Sequence, residues 1–215
     1  MYKKTEDLLE NVFTSKTKML VLKNIQTGIF ACNQFISDNK DFFNHINMCN
    51  SLNDLRTYSI SRQFSIESQK GTSPYTVTTD ELGAYKYKVS FFNFDGVIAT
   101  VAKTRKADNL PSKSRYKIEL SKRNNFEDIQ ISLLDEVKDL PSDYNAPNYC
   151  IFTYGLNGDK LTHCRIVIPD HEYKKYLKNI SIMDSFEIVK SGNDIVEENI
   201  PILKKELQQK FKING

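Results

Sequence analysis

The stretch YCIFTYGLNGDKLTHCRIVI, residues 149–168, decides the fold of this chain. Two apolar runs, 149–154 and 161–168, stand on either side of the dipeptide Asn157-Gly158. Asn-Gly between two apolar runs is the strongest short-range signal for a β-hairpin, because both residues tolerate the positive φ of a tight turn. The sequence therefore predicts two antiparallel strands joined at this turn.

A two-residue turn also sets the register of the hairpin. It would pair Cys150 with Arg165 and Phe152 with His163. Because side chains alternate between the faces of a strand, this register places Cys150 and Cys164 on opposite faces and excludes a disulfide between them. It places His163 and Arg165 on the same face as Phe152 and Tyr154. This face would either bind a ligand or stack a base, or, as we expect, be an ordinary mixed sheet surface.

Upstream of the hairpin, the N-terminal quarter of the chain predicts helices. Five apolar residues are spaced three or four positions apart, which places them on one face of a helix over about residues 17–37. They are Leu22, Ile25, Ile29, Cys32 and Ile36. This stripe either packs inside the chain or binds a protein partner, such as a second copy in a homodimer. A second helix is predicted around residues 42–52.

The rest of the chain predicts mainly strands. Alternation of apolar and polar residues predicts strands over residues 57–66, 85–92, 97–103 and 115–121. An Asp-Gly turn at Asp95 joins the second and third of these, and a loop over residues 104–114 follows. Helices are predicted over residues 126–139, after Asp170 and after Asn199, and a short strand over 186–189.

Together these elements predict an α+β protein that forms one domain over residues 1–215. Residues 1–56 would form a helical N-terminal segment. Residues 57–215 would form an α+β core, with a mostly antiparallel sheet of about five to seven strands and covering helices.

Composition excludes several classes of protein. With 40% hydrophobic residues, 27% charged residues and only eight Gly, the 215-residue chain is neither collagen-like nor broadly disordered. Its first residues carry acids and no segment approaches the roughly 18 apolar residues of a membrane span, so we expect a cytoplasmic protein that binds no membrane. The four cysteines show no CxxC spacing and there is no glycine-rich phosphate loop, so no cofactor is expected.

The strongest functional signal is a basic stretch in the middle of the chain. The net charge is +3 overall, but +5 over residues 71–125 and −4 over residues 126–215. On a loop and the outer face of a strand, these cations could converge on the phosphates of DNA or RNA. The alternative is a solvated strand edge that lysine protects from aggregation. The cations are Lys103, Arg105, Lys106, Lys113, Arg115, Lys117, Lys122 and Arg123.

The order of elements over residues 85–154 resembles the core of the PD-(D/E)xK nuclease superfamily. In that family an Asp opens the second strand, and the third strand carries an acidic residue followed two positions later by Lys. Asp95 and Glu119 match the two acids in this chain. Ser121 stands at the family's lysine position, and Lys122 follows it.

The resemblance implies a catalytic site. Asp95 and Glu119 would hold a Mg²⁺ or Mn²⁺ ion that activates a water for phosphodiester hydrolysis, with Lys122 beside the developing charge. In a regular strand Lys122 would point to the opposite face, and only a bulge would turn it back. This metal-dependent nuclease is one alternative, and a protein-interaction module that uses the N-terminal helices is another. The leading interpretation is a non-catalytic protein that binds DNA or RNA through residues 103–123.

Overall fold

The structure, a computed structural model, describes residues 2, 4–44, 51–82, 87–124, 126, 146–183 and 199–211. Within these residues the chain forms six helices and one mixed sheet of six strands, which confirms the predicted α+β class. The helices are α1 Thr5–Asn11, α2 Ser15–Asp38, α3 Lys40–Phe43, α4 Leu52–Gln69, α5 Arg115–Ser121 and α6 Ile200–Phe211. The strands are β1 Thr76–Leu82, β2 Tyr87–Phe94, β3 Val97–Lys103, β4 Asn148–Asn157, β5 Lys160–Pro169 and β6 Tyr176–Ser181.

The six strands lie in chain order across the sheet. β3 and β4 are parallel, and the other four neighbouring pairs are antiparallel, so the predicted mostly antiparallel sheet is confirmed. β2 and β3 form the predicted hairpin, with Gly96 at a φ of 68° in its turn. Because parallel neighbours cannot be joined by a tight turn, the chain makes a long crossover between Lys103 and Asn148. The predicted loop over residues 104–114 begins this crossover.

Helix α2 confirms the helix predicted over residues 17–37. Thr14 caps its N-terminus by accepting a hydrogen bond from the backbone N–H of Thr17, at 3.3 Å. Near its middle, Gly28 allows α4 to approach closely. A Cβ atom on Gly28 would fall 2.6 Å from the Cα of Ile60, and the backbone oxygen of Gly28 accepts a 2.8 Å hydrogen bond from Ser59.

The strand predicted over residues 57–66 is wrong, because α4 runs through Gln69. Its buried residues are spaced for a helix, but two of them, Ser59 and Gln63, are polar. The Gln63 amide donates to Asn24 of α2 at 3.2 Å, so these polar groups are paired inside the protein. These polar residues on the buried face interrupt the helical spacing of the apolar residues. The pattern that remains alternates between apolar and polar residues, as a strand does.

The hairpin predicted from residues 149–168 is confirmed, but its predicted register is wrong. The turn lies one residue later, with Asn157 paired to Lys160, and the register shifts again between Gly155 and Leu156. Cys164 therefore lies opposite Tyr154. As a result both Cys150 and Cys164 are buried on the face that carries the helical core, and both are free thiols.

The two faces of the sheet are covered differently. On one face α1, α2 and α4 pack over an aromatic core, in which the rings of Phe64 and Phe92 stack at 4.2 Å. On the other face α5 and the turn after β5 cover a smaller cluster that includes Tyr149, Ile151 and Tyr173. Helices therefore cover both faces of the sheet, although α5 was not among the predicted helices.

Two further predictions on that second face are wrong. The strand predicted over residues 115–121 is helix α5, and the helix predicted after Asp170 is a turn that leads into β6. A seven-residue segment is too short for its apolar spacing to separate a strand from a helix. The Asp170 carboxylate accepts hydrogen bonds from the backbone N–H groups of Lys174 (2.7 Å) and Lys175 (3.1 Å), which closes the turn.

The helix predicted after Asn199 is confirmed as α6, whose Leu203 and Leu207 are buried against other helices. The predictions over residues 127–139 and 186–189 lie outside the described residues. Among the described helices, none combines the length and the apolar character that crossing a membrane requires.

Replacing Gly28 should show how much the fold depends on the contact between α2 and α4. Alanine is the better helix former by roughly 1 kcal/mol, but its Cβ would overlap the backbone of Ile60. We expect Gly28→Ala to lower the free energy of unfolding by about 1–3 kcal/mol, measured by urea denaturation. The control is Lys23→Ala, at a partly exposed position of the same helix. A Gly28→Ala protein as stable as the wild type would show that the two helices can separate at no cost.

Candidate functional site

The basic loop, defined as residues 104–114, leaves the sheet at the end of β3 and passes over the face that carries α5. It contains no regular secondary structure, but side chains from the surrounding elements hold its backbone. Asn179 of β6 donates to the carbonyl of Ala107 at 3.0 Å. Tyr173 donates to the carbonyl of Pro111 at 3.2 Å, and Lys117 of α5 donates to that of Ser112 at 3.0 Å. The loop is therefore fixed against the sheet.

His163 holds the first residue of the loop. Its Nε2 lies 2.8 Å from the Oγ1 of Thr104, so the hydrogen bond reaches from β5 across β4. Gly155 of β4 makes this possible, because a Cβ there would fall 1.9 Å from the imidazole Cε1. Burial, with the nearby Arg165 guanidinium, lowers the pKa of His163 below 6.5. The neutral ring is therefore the favoured form in the folded protein.

Four of the eight cations predicted to bind nucleic acid are exposed around this fixed backbone: Arg105, Lys106, Lys113 and Arg115. Arg123 is partly exposed. None of the five forms a salt bridge with a carboxylate in the described part of the chain. Their charges are thus not neutralised by direct pairing with those carboxylates.

The other three of these eight cations contact other residues of the chain. Lys103 donates to the Oδ1 of Asn53 at 2.7 Å. Lys117 is buried, and this burial lowers the pKa of its ammonium. Lys122 lies 3.0 Å from a carboxylate oxygen of Glu119. The predicted single basic surface is therefore divided, and Lys117 serves the loop rather than a ligand.

An open cleft of about 500 Å³ lies between the start of the loop and the N-terminus of α4. Of the described residues that line it, two are cations and none is acidic. Burial, followed by the charges of Arg56 and Arg105, lowers the pKa of Lys103 at its wall. The described lining of the cleft therefore carries a net positive charge. Its lining residues are Asn53, Lys103, Thr104, Arg105, Asn109, Leu110, Pro111 and Ser112.

The sequence did not indicate Asn53 or the role of His163. Asn53 reaches the cleft because α4 crosses the sheet, which a single asparagine in a helical segment does not signal. His163 was assigned to the face of Phe152, whereas the observed register turns it to the loop. The one signal in the sequence for the role of His163 is its position five residues after the turn glycine. This position gives the correct face of the strand only if the register of the hairpin is known.

The two acids of the nuclease resemblance lie on different kinds of element. Asp95 is in the β2–β3 turn, and its charge adds to burial in raising the pKa of Tyr2. Glu119 is on helix α5, and both its oxygens contact the ammonium of Lys122. Among the described residues, no group of three or more His, Cys, Asp or Glu is arranged to hold a metal. The resemblance to the nuclease core therefore stays a prediction.

The apolar stripe of α2 is used inside the chain. Leu22, Ile25 and Ile29 pack against the sheet. Cys32 is buried and Ile36 partly buried in a second cluster, with residues of α3, α4 and α6. The stripe is therefore covered by the chain's own elements and is not displayed to a partner.

Comparison with known proteins assigns no family to this chain. No protein-family model matches it, and no curated protein or solved structure does. Its function is therefore inferred from the cations, the hydrogen bonds and the cleft of the basic loop.

The stability that neutral His163 contributes should be lost as the pH falls. A group whose pKa is lower in the folded than in the unfolded state contributes stability that is complete above the unfolded value, and this stability is lost as the pH falls through the folded pKa. We expect the wild type to lose more stability than His163→Gln between pH about 7.5 and about 5, measured by urea unfolding.

The control for this experiment is His171→Gln, because His171 is exposed in the turn after β5. It should show the same pH dependence as the wild type. If His163→Gln and the wild type lose stability equally, the neutral imidazole does not hold the loop.

Proposed function

We propose that this protein binds DNA or RNA without catalysing a reaction on it, and that the basic loop contacts the phosphates. The observation that carries the proposal is the combination of a fixed backbone with exposed cations that have no carboxylate partner among the described residues. The loop is held by hydrogen bonds at Thr104, Ala107, Pro111 and Ser112, while Arg105 between them is exposed. Such a surface loses little backbone entropy when it binds a ligand.

The charges of the loop explain why a polyanion is the favoured ligand. A phosphate that pairs with an exposed arginine or lysine releases condensed counterions, and this release drives the binding of nucleic acids. Arg105 and Lys106 are adjacent in sequence and exposed, and Lys113 is exposed at the other end of the loop. Several phosphates of one strand could therefore be contacted together.

A surface that uses lysine only for solubility is the competing explanation. Solubility needs exposed charge, but it does not need the loop backbone to be held by side chains of β6, α5 and the turn at Tyr173, or the Thr104 side chain to be held by His163 of β5. The positive cleft beside the loop, with no acid among its described lining residues, adds to the preference for an anionic ligand.

Glu119 is paired with Lys122 on helix α5, and this contact adds no support to the nuclease alternative. For location, we infer the cytoplasm. Cys32, Cys150 and Cys164 are buried free thiols, which suits a reducing compartment.

The salt dependence of binding tests this function. We expect Arg105→Ala/Lys106→Ala to weaken binding to fluorescent DNA and RNA oligonucleotides by about tenfold, measured by anisotropy at several salt concentrations. The slope of log K against log salt should also fall by about 1 to 2, because two phosphate contacts are removed.

The matched control, Lys16→Ala/Lys23→Ala, removes the same charge from α2. Lys23 lies ten residues, roughly 15 Å along the helix, from Asn33, which contacts Arg56 near the cleft. The control should bind like the wild type. Binding that ignores salt, or that both double variants weaken equally, would reject the basic loop as the contact surface.

A further inference from the structure

We propose that the cleft beside the basic loop holds one nucleotide unit with an exposed base, either an unpaired residue of a strand or a free nucleotide. This inference rests on the proposed function and deepens it, because it predicts a preference for single strands over duplexes. It is carried by two chemically different parts of the cleft lining.

The cationic part of the lining suits a phosphate. Lys103 and Arg105 stand at the cleft wall, and Arg56 lies within electrostatic range of Lys103. The Arg56 charge is shared with Asp159 at 2.9 Å, whereas Arg105 has no such pair in the described residues. A bound phosphate would offset the electrostatic repulsion between these cations. The described lining of the cleft has no acidic residue that does so.

The apolar part of the lining suits the flat, largely apolar surface of a base. Leu110 and Pro111 line the cleft, and Leu110 is supported from behind by the cluster that includes Tyr149. Asn109 and Ser112 add hydrogen-bonding groups of the kind that a sugar or a base edge requires. An inorganic anion would use the cations but leave this apolar wall without a function.

The size of the cleft agrees with this assignment. A volume of about 500 Å³ falls within the usual range for small-molecule sites.

A base paired in a duplex cannot present its flat face to Leu110 and Pro111. It would first have to leave the stack, and this step costs free energy that an unpaired nucleotide does not spend. Single-stranded nucleic acid therefore gains both the loop contacts and the cleft contacts, whereas an intact duplex gains only the former.

The test compares one labelled oligonucleotide as a single strand and as a blunt duplex, at the same salt concentration. We expect the single strand to bind about tenfold more tightly, the effect of one stacked base. Adenosine monophosphate should compete for the cleft, and inorganic phosphate should compete at least about tenfold less well, because it lacks the base. A free nucleotide that binds as tightly as the oligonucleotide would identify the small molecule as the ligand, and a much weaker one would identify the strand.

Asn53→Asp tests the cleft with almost no change in shape. The new carboxylate would pair with Lys103, which Asn53 already contacts, and an acid in the first turn of α4 favours the helix. We expect this variant to lose the preference for single strands while its binding to duplex changes less than twofold. The control, Asn11→Asp, adds the same charge at the exposed end of α1 and should keep the preference.

The outcomes separate the two proposals. Equal, salt-dependent binding of single strand and duplex that still requires Arg105 and Lys106 would overturn the nucleotide site and leave the proposed function standing. Competition by inorganic phosphate equal to that by the nucleotide would also overturn it. Absence of binding to either oligonucleotide would overturn the proposed function, and absence of binding to adenosine monophosphate as well would overturn both.

Discussion

The parallel pairing of β3 with β4 is the constraint on which the candidate site depends. Antiparallel neighbours can be joined by a short turn. Parallel neighbours require the chain to return to the end of the sheet at which the first strand began. The crossover therefore has to pass over one face, and it begins at Lys103 with the basic loop. The other face is filled by α1, α2 and α4. The loop therefore lies on the face that carries α5, where side chains of β5 and β6 contact it.

A buried polar network gives the helical layer its position. Asn24 of α2 donates to the Tyr75 hydroxyl at 2.7 Å, Gln63 of α4 donates to Asn24, and Asn199 beside α6 donates to Gln63 at 3.3 Å. Buried amides destabilise a protein unless their partners are placed correctly, so this chain of hydrogen bonds favours one arrangement of the helices. That arrangement brings Asn53, at the start of α4, to Lys103 and completes the cleft.

Errors in the sequence-based predictions arise where burial and polarity disagree. Residues 57–66 predicted a strand because Ser59 and Gln63 are polar on a buried helical face. Residues 115–121 predicted a strand because Lys117 is charged and yet buried, with its ammonium on the Ser112 carbonyl. In both segments a hydrogen-bond partner distant in sequence makes the burial tolerable, and a local pattern cannot reveal that partner. The basic loop could be predicted without knowledge of such a partner, because its positive charge is visible in the local sequence.

The sequence by itself determined the α+β class, α2, the β2–β3 hairpin, the hairpin of residues 149–168 and the basic loop. These features follow from local periods, turn residues and charge. Only the tertiary structure decided the register that turns His163 toward Thr104, the division of the eight cations, and the cleft with Asn53 at its wall. A one-residue change of register reverses the face of every side chain, and contacts between distant elements depend on packing that no single segment encodes.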